Sequence, residues 1–425
     1  SYARTWIRDG AMMAEGLLRT GHADVVRAFA DWYAPHQFSS GKVPCCVDAR
    51  GSDPVPENDS HGELVFTIAE LYRYTHDRAT LQALWPHVQR AIGYMDTLRA
   101  SERGAANRLP ATRANYGLLP ASISHEGYSA KPMHSYWDDF WGLRGYDDAV
   151  ELAGALGRDD AATRIAQSRD AFRADLLASI RTSARQHGIG YVPGAAELGD
   201  FDATSTTIAL APGGDQAWLP ADLLRGTFER YWTQFVARRD GARAWDDYTP
   251  YELRNVGAFV RLGWRDRIPA LLDFFFAGRR PAAWNGWAEV VGHDARKPRF
   301  VGDMPHAWIA SDFLRSALDM FAWERRRDRA MVLAAGVPAA WLDGNGIAIA
   351  RLRTPYGNLG YRLRREGAQL RLHVDAGATP PGGFVLPWPY PGTPGATTIG
   401  GQPARWSGDG LHIARAPADV VVAMP

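Results

Sequence analysis

The sequence has 425 residues, 46% of them hydrophobic, and its 48 Lys and Arg residues balance 47 Asp and Glu residues to leave a formal net charge of +1. A chain of this length buries a sizeable core and has room for more than one domain. The even charge excludes a global basic field for nucleic acid, and no apolar run approaches the roughly 20 residues that span a bilayer.

The two cysteines, Cys45 and Cys46, are adjacent, which excludes a disulfide framework. Two cysteines also cannot build a four-ligand zinc site alone. We expect two small buried thiols, with a strained vicinal disulfide as the alternative. Neither state identifies the cellular compartment.

The first three quarters of the chain predict paired helices. Apolar residues recur at helical spacing within residues 8–34, 59–99, 137–180, 204–238, 251–276 and 306–321, separated by loops rich in Gly, Pro or Asn. Hairpins too small to bury their own apolar faces must stack around a shared core. We therefore predict an all-α (α/α)6 toroid over residues 1–328. Eleven helices are predicted where six hairpins need twelve, so we expect the first helix to precede the sequence.

The remaining residues predict strands. Period-two alternation is found at residues 346–352, 359–363, 370–374 and 411–413, with Gly and Pro turns between them. Segment 380–394 is too rich in Pro and Gly to be expected as a central strand. We predict a small antiparallel β-sandwich over residues 329–425 that supports packing.

Two adjacent carboxylates, Asp138 and Asp139, stand among the aromatic residues Tyr136, Trp137 and Trp141. Burial against Trp raises a carboxyl pKa, and a carboxyl that stays protonated near neutral pH can act as a general acid. The 16 Trp residues of the chain are also suited to stacking on sugar rings. The alternative interpretation of this stretch is an acidic helix start backed by core aromatics.

Polar and aromatic clusters stand at the start of one helix in each predicted hairpin. In a toroid these helix starts converge at one mouth, and six clusters at equivalent positions are more than capping requires. The candidate binding residues, besides Asp138 and Asp139, are Trp6, Arg8, Asp9, Asp59, His61, Glu63, Trp137, Trp141, Asp202, Asp247, Tyr248, Trp284, Trp287, His306 and Trp308.

These motifs resemble the six-hairpin glycosidases, the superfamily of glucoamylase, trehalase, glucosidase I and the glycogen-debranching glucosidase. Thr5-Trp6-Ile7-Arg8-Asp9 looks like the glucoamylase segment that holds the non-reducing sugar. Trp137-Asp138-Asp139 is similar to the tandem-acid motif, which implies Asp138 as the general acid and Asp139 as its binding or orienting neighbour. Glu289 resembles the base glutamate before the last helix of the toroid.

The resemblance implies an inverting hydrolase of bacterial type acting on an α-glucoside-like glycan. A neutral glycan is favoured over an acidic one because the predicted mouth carries at least as many acids as Arg or Lys. Asp138 would protonate the glycosidic oxygen while Glu289 activates water on the opposite face. No cofactor, metal, nucleic acid or membrane partner is expected, and the oligomeric state stays open. The alternatives are a glycoside phosphorylase, a polysaccharide lyase that uses Tyr and His, and a carbohydrate-binding protein without catalysis.

Overall fold

The computed structural model describes residues 3–296 and 304–424. Eleven α-helices lie in these residues, in agreement with the number predicted. Their bounds are α1 Ile7–Thr20, α2 Ala23–Tyr33, α3 Ser60–Thr75, α4 Arg78–Ser101, α5 Tyr136–Ala155, α6 Asp159–His187, α7 Ala203–Leu210, α8 Ala221–Arg239, α9 Arg254–Leu262, α10 Ile268–Ala277 and α11 Ala307–Phe321.

Six of these helices contact one another in a closed cycle. α1 packs on α3, α3 on α5, α5 on α7, α7 on α9 and α9 on α11, and α11 returns to α1. The other five helices each follow a member of the cycle and pack against it. α3 is buried continuously from Ser60 to Leu71, as expected for a helix that is enclosed on all sides.

A close crossing in the cycle joins α3 and α5, where Gly62 meets Gly145. A Cβ atom placed on Gly145 would lie 2.8 Å from the Gly62 Cα, and one on Gly62 would lie 2.0 Å from the Trp141 carbonyl oxygen. Glycine at both positions lets the two backbones approach each other.

Two small sheets flank the helices. One is formed by β1 Thr5–Trp6, β2 Cys46–Asp48 and β3 Gly51–Ser52, and the other by β4 Asp247–Tyr248 and β5 Val291–Gly292. β1 lies directly before α1 and pairs with β2, which places the two cysteines beside the start of that helix.

The C-terminal part consists of two larger sheets around a second apolar core. The strands are β6 Ala322–Arg325, β7 Ala330–Leu333, β8 Ile347–Thr354, β9 Gly357–Glu366, β10 Gln369–Val374, β11 Phe384–Leu386, β12 Thr397–Ile399, β13 Gln402–Ala404, β14 Trp406–Ser407, β15 Gly410–Ile413 and β16 Ala418–Ala423. The sheet orders are β13-β12-β16-β10-β9-β8 and β14-β15-β11-β7-β6. The prediction of a helical part followed by a β part is confirmed.

Two features of this part differ from the sequence-based expectation. β11 lies inside the Pro- and Gly-rich segment, yet it is a central strand that pairs with β15 and, in parallel, with β7. Its three residues, Phe384, Val385 and Leu386, contain no Pro and are fully buried, so a short central strand fits between the turns. β6 begins directly after α11, ahead of the boundary at residue 328.

Among the described residues, none of the helices combines the length and the apolar character that crossing a bilayer requires.

Candidate active site

The starts of α1, α3 and α5 are joined by one buried group of polar side chains. Arg8 Nη1 donates to Glu57 Oε2 at 2.7 Å and to Asp59 Oδ2 at 3.1 Å. Trp137 Nε1 donates to the same Asp59 oxygen at 2.8 Å. Asp59 occupies the N-cap position of α3, but its side chain accepts no capping hydrogen bond there. Its carboxylate instead links three helices of the cycle.

Asp138 lies in the first turn of α5 and is 1% exposed. Ser122 Oγ donates to its Oδ2 at 2.5 Å, and Ser124 Oγ donates to its Oδ1 at 2.7 Å. Burial and the nearby charge of Asp59 raise the pKa of Asp138 well above its usual value, although the two hydroxyl groups oppose that rise. This environment favours a protonated carboxyl near neutral pH.

Asp139 faces different surroundings from Asp138. Its Oδ1 accepts a hydrogen bond from the Leu119 backbone at 2.9 Å, and the side chain is fully buried. Burial raises the pKa of Asp139 to about 7. The hydrogen bond from Leu119 fixes the orientation of this carboxyl group.

A row of aromatic rings runs from the α5 start toward Glu289. The ring of Trp137 lies 6.5 Å from that of Trp308, which lies 4.3 Å from the ring of Tyr251. Tyr251 Oη donates to Glu289 Oε1 at 3.1 Å, and His306 Nε2 is 3.8 Å from Glu289 Oε2. The row therefore connects the neighbourhood of Asp138 with that of Glu289.

Arg254 covers the aromatic row. Its guanidinium carbon lies 5.0 Å from the ring centre of Trp137, 5.3 Å from that of Tyr251 and 5.8 Å from that of Trp308. The guanidinium carbon of Arg8 lies 5.4 Å from the ring centre of Trp308, the middle ring of the row. We use the name mouth cluster for Arg8, Asp59, Trp137, Tyr251, Arg254, Glu289 and Trp308.

Asp9 and Trp6 stand beside the mouth cluster. Burial raises the pKa of Asp9 to about 7; Arg8 opposes this rise, and the charge of Glu289 adds to it. Trp6 Nε1 donates to Glu126 Oε1 at 3.2 Å. Asp9 is only partly buried, so its carboxyl is more accessible than that of Asp138.

Asp202 lies at the N-terminus of α7 and caps it by accepting from the Ser205 backbone at 3.0 Å. Its Oδ2 is 3.7 Å from His125 Nε2, and the His125 ring lies 5.1 Å from that of Trp137. Burial raises and the His125 charge lowers the pKa of Asp202, which ends below its usual value. His125 therefore connects Asp202 to the mouth cluster.

Several predicted binding residues are core residues. Trp287 donates from Nε1 to the Phe275 carbonyl at 2.7 Å and packs on Phe276, between α10 and α11. Tyr248 is 5% exposed and packs on Phe274 and Phe275. Their side chains fill helix interfaces, which explains the aromatic residues without a substrate.

Three further candidates lie within the helical core. His61 accepts from the Val43 backbone at 3.2 Å, and burial lowers its pKa to about 3. Glu63 is fully buried, with neither carboxyl oxygen hydrogen-bonded among the described residues, and burial raises its pKa well above the usual value. Trp141 is fully buried against Phe66.

Trp284 and Asp247 lie outside the mouth cluster. Trp284 is 60% exposed and is absent from the contacts of the mouth cluster. Asp247 belongs to β4, which pairs with β5 directly after Glu289.

Sequence reasoning did not select several polar residues that hold this site. They are Glu57, Ser122, Ser124, His125, Glu126, Tyr251 and Arg254. The available signal was the concentration of Ser, His and Glu in a loop shortly before the tandem acids. Arg254 had no signal, because an Arg at a helix start is usually solvated.

One group of metal-type ligands occurs among the described residues, at Cys45, Cys46 and Asp53. Both thiols are buried and free, with their sulfur atoms 2.9 Å apart. Arg4 lies 3.3 Å from the Asp53 carboxylate, so that carboxylate already has a cationic partner. The reduced, buried pair agrees with the expectation of two small thiols.

Three solved structures share this fold. An α-L-rhamnosidase from Dictyoglumus thermophilum matches 98% of the chain with a TM-score of 0.56 at 10% identity. A GH78 family rhamnosidase of Bacillus sp. GL1 matches 88% with a TM-score of 0.55 at 12% identity. An α-L-rhamnosidase from Aspergillus terreus matches 96% with a TM-score of 0.52 at 13% identity.

The chain spans 46%, 37% and 45% of these three proteins, less than half of each. At 10–13% identity, these structural matches show a common fold and nothing finer. No protein-family model matches the sequence, and no curated protein sequence matches it.

Proposed function

We propose that this chain is the catalytic part of a glycoside hydrolase that cleaves a neutral glycan with inversion. The observation that carries the proposal is the mouth cluster, where the aromatic row runs from Trp137, the chain neighbour of the buried carboxyl Asp138, to a second carboxylate, Glu289. Glycoside hydrolysis uses a pair of carboxyl groups that flank the scissile bond, and the aromatic rings between them offer faces on which a sugar can stack.

Asp138 is assigned as the general acid. Its raised pKa keeps a proton available near neutral pH, and the hydroxyl groups of Ser122 and Ser124 fix its orientation. The proton would pass to the glycosidic oxygen as the bond to the leaving sugar breaks.

Glu289 is assigned as the base. Tyr251 and His306 hold its carboxylate beside the aromatic row, where it can remove a proton from an attacking water. The inverting mechanism needs the two carboxyl groups roughly 6.5–9.5 Å apart, which leaves space for that water. Asp9 would bind a sugar hydroxyl next to them, and Arg8 would hold Asp59 in place.

The architecture belongs to the same proposal. The closed cycle of helices would be the inner ring of an (α/α)6 toroid in residues 1–328, with an accessory β-sandwich in residues 329–425. Because β6 starts at Ala322, a boundary directly after α11 would keep the second sheet intact.

The substrate proposed is an α-L-rhamnoside. Solved structures that share the fold are described as α-L-rhamnosidases, and this supports a rhamnosyl group over the α-glucosyl group expected from sequence. The choice between the two sugars is testable on matched synthetic substrates.

The first experiment compares para-nitrophenyl α-L-rhamnopyranoside with para-nitrophenyl α-D-glucopyranoside, and each with its disaccharide counterpart. Proton NMR identifies the anomer released, and we expect the inverted one. Product formation that requires inorganic phosphate would instead identify a phosphorylase, and an unsaturated product that absorbs in the ultraviolet would identify a lyase.

Two substitutions separate the acid from the base. Asp138→Asn is expected to lower kcat on the disaccharide by about 10²–10⁴-fold and much less on the nitrophenyl glycoside, whose leaving group needs little protonation. Glu289→Gln should lower both rates, since both reactions need the activated water. Asp240→Asn, on an exposed carboxylate, is the control. Equal losses on both substrates for Asp138→Asn would contradict its role as the acid.

A further inference from the structure

A cavity of about 520 Å³ opens between α7, α8 and the segment that precedes α9. This volume is within the range of roughly 300–1,000 Å³ typical of small-molecule sites. Its lining includes Asp202, Gln234, Arg238, Trp245, Asp247 and Glu252. None of the roles assigned to the mouth cluster uses this space.

The cavity borders the mouth cluster at two places. Glu252 lines the cavity, while the preceding residue, Tyr251, holds Glu289. On the other side, Asp202 lines the cavity and lies 3.7 Å from His125, whose ring packs on Trp137 next to Asp138. His125 and Asp202 therefore lie between the mouth cluster and the cavity.

The segment that carries Glu289 is also tied to the cavity wall. Asp247 pairs with Gly292 and Tyr248 pairs with Val291, in the short sheet directly after Glu289. The Trp245 ring lies 4.5 Å from the His293 ring. These contacts hold the cavity wall against the segment that follows the proposed base, Glu289.

The lining offers both kinds of contact that a sugar ring uses. Trp245 is partly exposed and presents an aromatic face, on which the apolar face of a sugar can stack. Arg238 donates to both Glu252 oxygens, at 2.7 and 2.5 Å, and Tyr231 donates to one of them at 2.8 Å. These polar groups, together with the Gln234 amide, can donate hydrogen bonds to sugar hydroxyl groups and accept hydrogen bonds from them.

The charge of the lining selects against acidic sugars. Four carboxyl groups (Asp202, Asp246, Asp247 and Glu252) face two guanidinium groups (Arg238 and Arg243). A uronic acid would meet net repulsion here, whereas a neutral hexose would not.

We infer that this cavity is a second subsite, which binds the neutral sugar on the leaving-group side of the bond that is cleaved. The inference rests on the proposed function and extends it, because the enzyme would require at least a disaccharide for full activity. The leaving-group side follows from the contact through His125, since the general acid must lie next to the oxygen of the departing sugar.

The test compares α-L-rhamnosyl fluoride, whose leaving group has no sugar, with a rhamnosyl-glucose disaccharide. Gln234→Ala, on the surface of α8, is expected to lower kcat/KM for the disaccharide severalfold and to leave hydrolysis of the fluoride within about twofold. Trp245→Ala should lower kcat/KM for the disaccharide by about tenfold or more, with a smaller loss on the fluoride because the Trp245 ring also packs on His293, after Glu289. Trp341→Ala, at an exposed Trp of the β part, is the matched control.

Equal losses on fluoride and disaccharide, or no loss on either, would overturn the subsite. If the wild-type protein hydrolyses neither compound, the proposed function fails, and saturation-transfer NMR then tests the cavity alone. Disaccharide signals that are present with wild type and lost with Trp245→Ala would support a binding site. Signals unchanged in the variant, or absent with wild type, would overturn it.

Discussion

Two hydroxyl groups from a single loop hold the carboxyl group of Asp138. Ser122 Oγ accepts from the Ser124 backbone at 2.7 Å, which directs its own hydrogen toward Asp138 Oδ2. A hydroxyl that donates to a carboxylate stabilises the charged form. Ser122 thus lowers the pKa of Asp138 from the still higher value that burial alone would give.

Ser122→Ala is therefore expected to raise the pKa of Asp138 further. Activity that requires the protonated acid would persist to higher pH, so the alkaline limb of kcat/KM on the disaccharide should move upward. The maximal rate should fall by about tenfold, because the acid loses one orienting contact. Ser101→Ala, at an exposed helix end, is the control. A lower rate with an unmoved alkaline limb would exclude this role for Ser122.

The raised pKa of Asp139 predicts a pH-dependent contribution to the stability of the protein. Its pKa in the folded protein is about 7, above the ordinary value of 3.8, so folding favours the protonated form. This contribution is fully present below pH 3.8 and is lost as the pH rises through about 7. Asp139→Asn keeps an oxygen for the Leu119 amide and removes the titration.

Urea unfolding of wild type and Asp139→Asn at pH 5 and pH 8 tests this. From pH 5 to pH 8, the free energy of unfolding of the variant should rise relative to that of wild type by roughly 2–4 kcal/mol. The comparison isolates Asp139, because the other buried acids are present in both proteins. A difference that does not change with pH would show that Asp139 is not buried with a raised pKa.

The identity of the candidate site residues could be predicted from the sequence, but their hydrogen-bond partners could not. The pair Asp138 and Asp139 was identified from its aromatic neighbours, but successive helix residues point about 100° apart, so the two carboxyl groups enter different environments. Their partners Ser122 and Leu119 lie on the loop that precedes α5, outside any helix. Helical periodicity carries no information about such pairings.

The packing of α3 on α5 depends on the glycine pair at their crossing. A methyl group on Gly62 would lie 2.0 Å from the Trp141 carbonyl oxygen, which is backbone and cannot rotate away. Gly62→Ala should therefore destabilise the protein by about 1–3 kcal/mol or more through overpacking. It should also displace the start of α5, which carries Trp137 and Asp138.

The matched substitution Gly93→Ala is expected to stabilise the protein, in contrast to Gly62→Ala. Gly93 lies within α4, and a Cβ there would have no atom within 4 Å. Alanine should stabilise α4 by about 0.5–1 kcal/mol, since it loses less backbone entropy on folding. Urea midpoints of the two variants should move in opposite directions. A neutral Gly62→Ala would contradict the close crossing.

Element prediction succeeded where the pattern was long and failed where an element was short. The helices and the strands β8, β9, β10 and β15 follow from periodicity that extends over several residues. β11 and β6 have three and four residues, and their positions are set by pairing with distant strands rather than by local pattern. The prediction from local composition, that this segment holds no central strand, was therefore wrong for β11.

At the scale of the whole molecule, a buried ionic network joins the helical cycle to the β part. Arg19 of α1 donates to Asp319 Oδ1 at 2.8 Å and to the Ala322 carbonyl of β6 at 2.9 Å. Arg261 of α9 donates to Asp319 Oδ2 at 2.6 Å. Asp319 thus links α1, α9 and α11 at the end of the cycle opposite the mouth cluster.

Removing Asp319 would leave two buried guanidinium groups without their shared partner. Asp319→Ala should therefore lower the free energy of unfolding by about 3–5 kcal/mol. Asp240→Ala, which breaks an exposed pair with Arg239, should cost no more than about 1 kcal/mol. Urea unfolding at neutral pH measures both, and equal small losses would mean that the network does not hold the two parts together.

The pH dependence gives this prediction a second and independent test. Burial raises the pKa of Asp319, but Arg261 and Arg19 outweigh it and hold the pKa below its usual value of 3.8. The stabilisation is then present above that value and is lost as the pH falls through the lower, folded value. The difference in free energy of unfolding between wild type and Asp319→Ala should stay constant near neutral pH and become smaller in acid. A gap that persists in strong acid would point to lost packing and not to the lost charge.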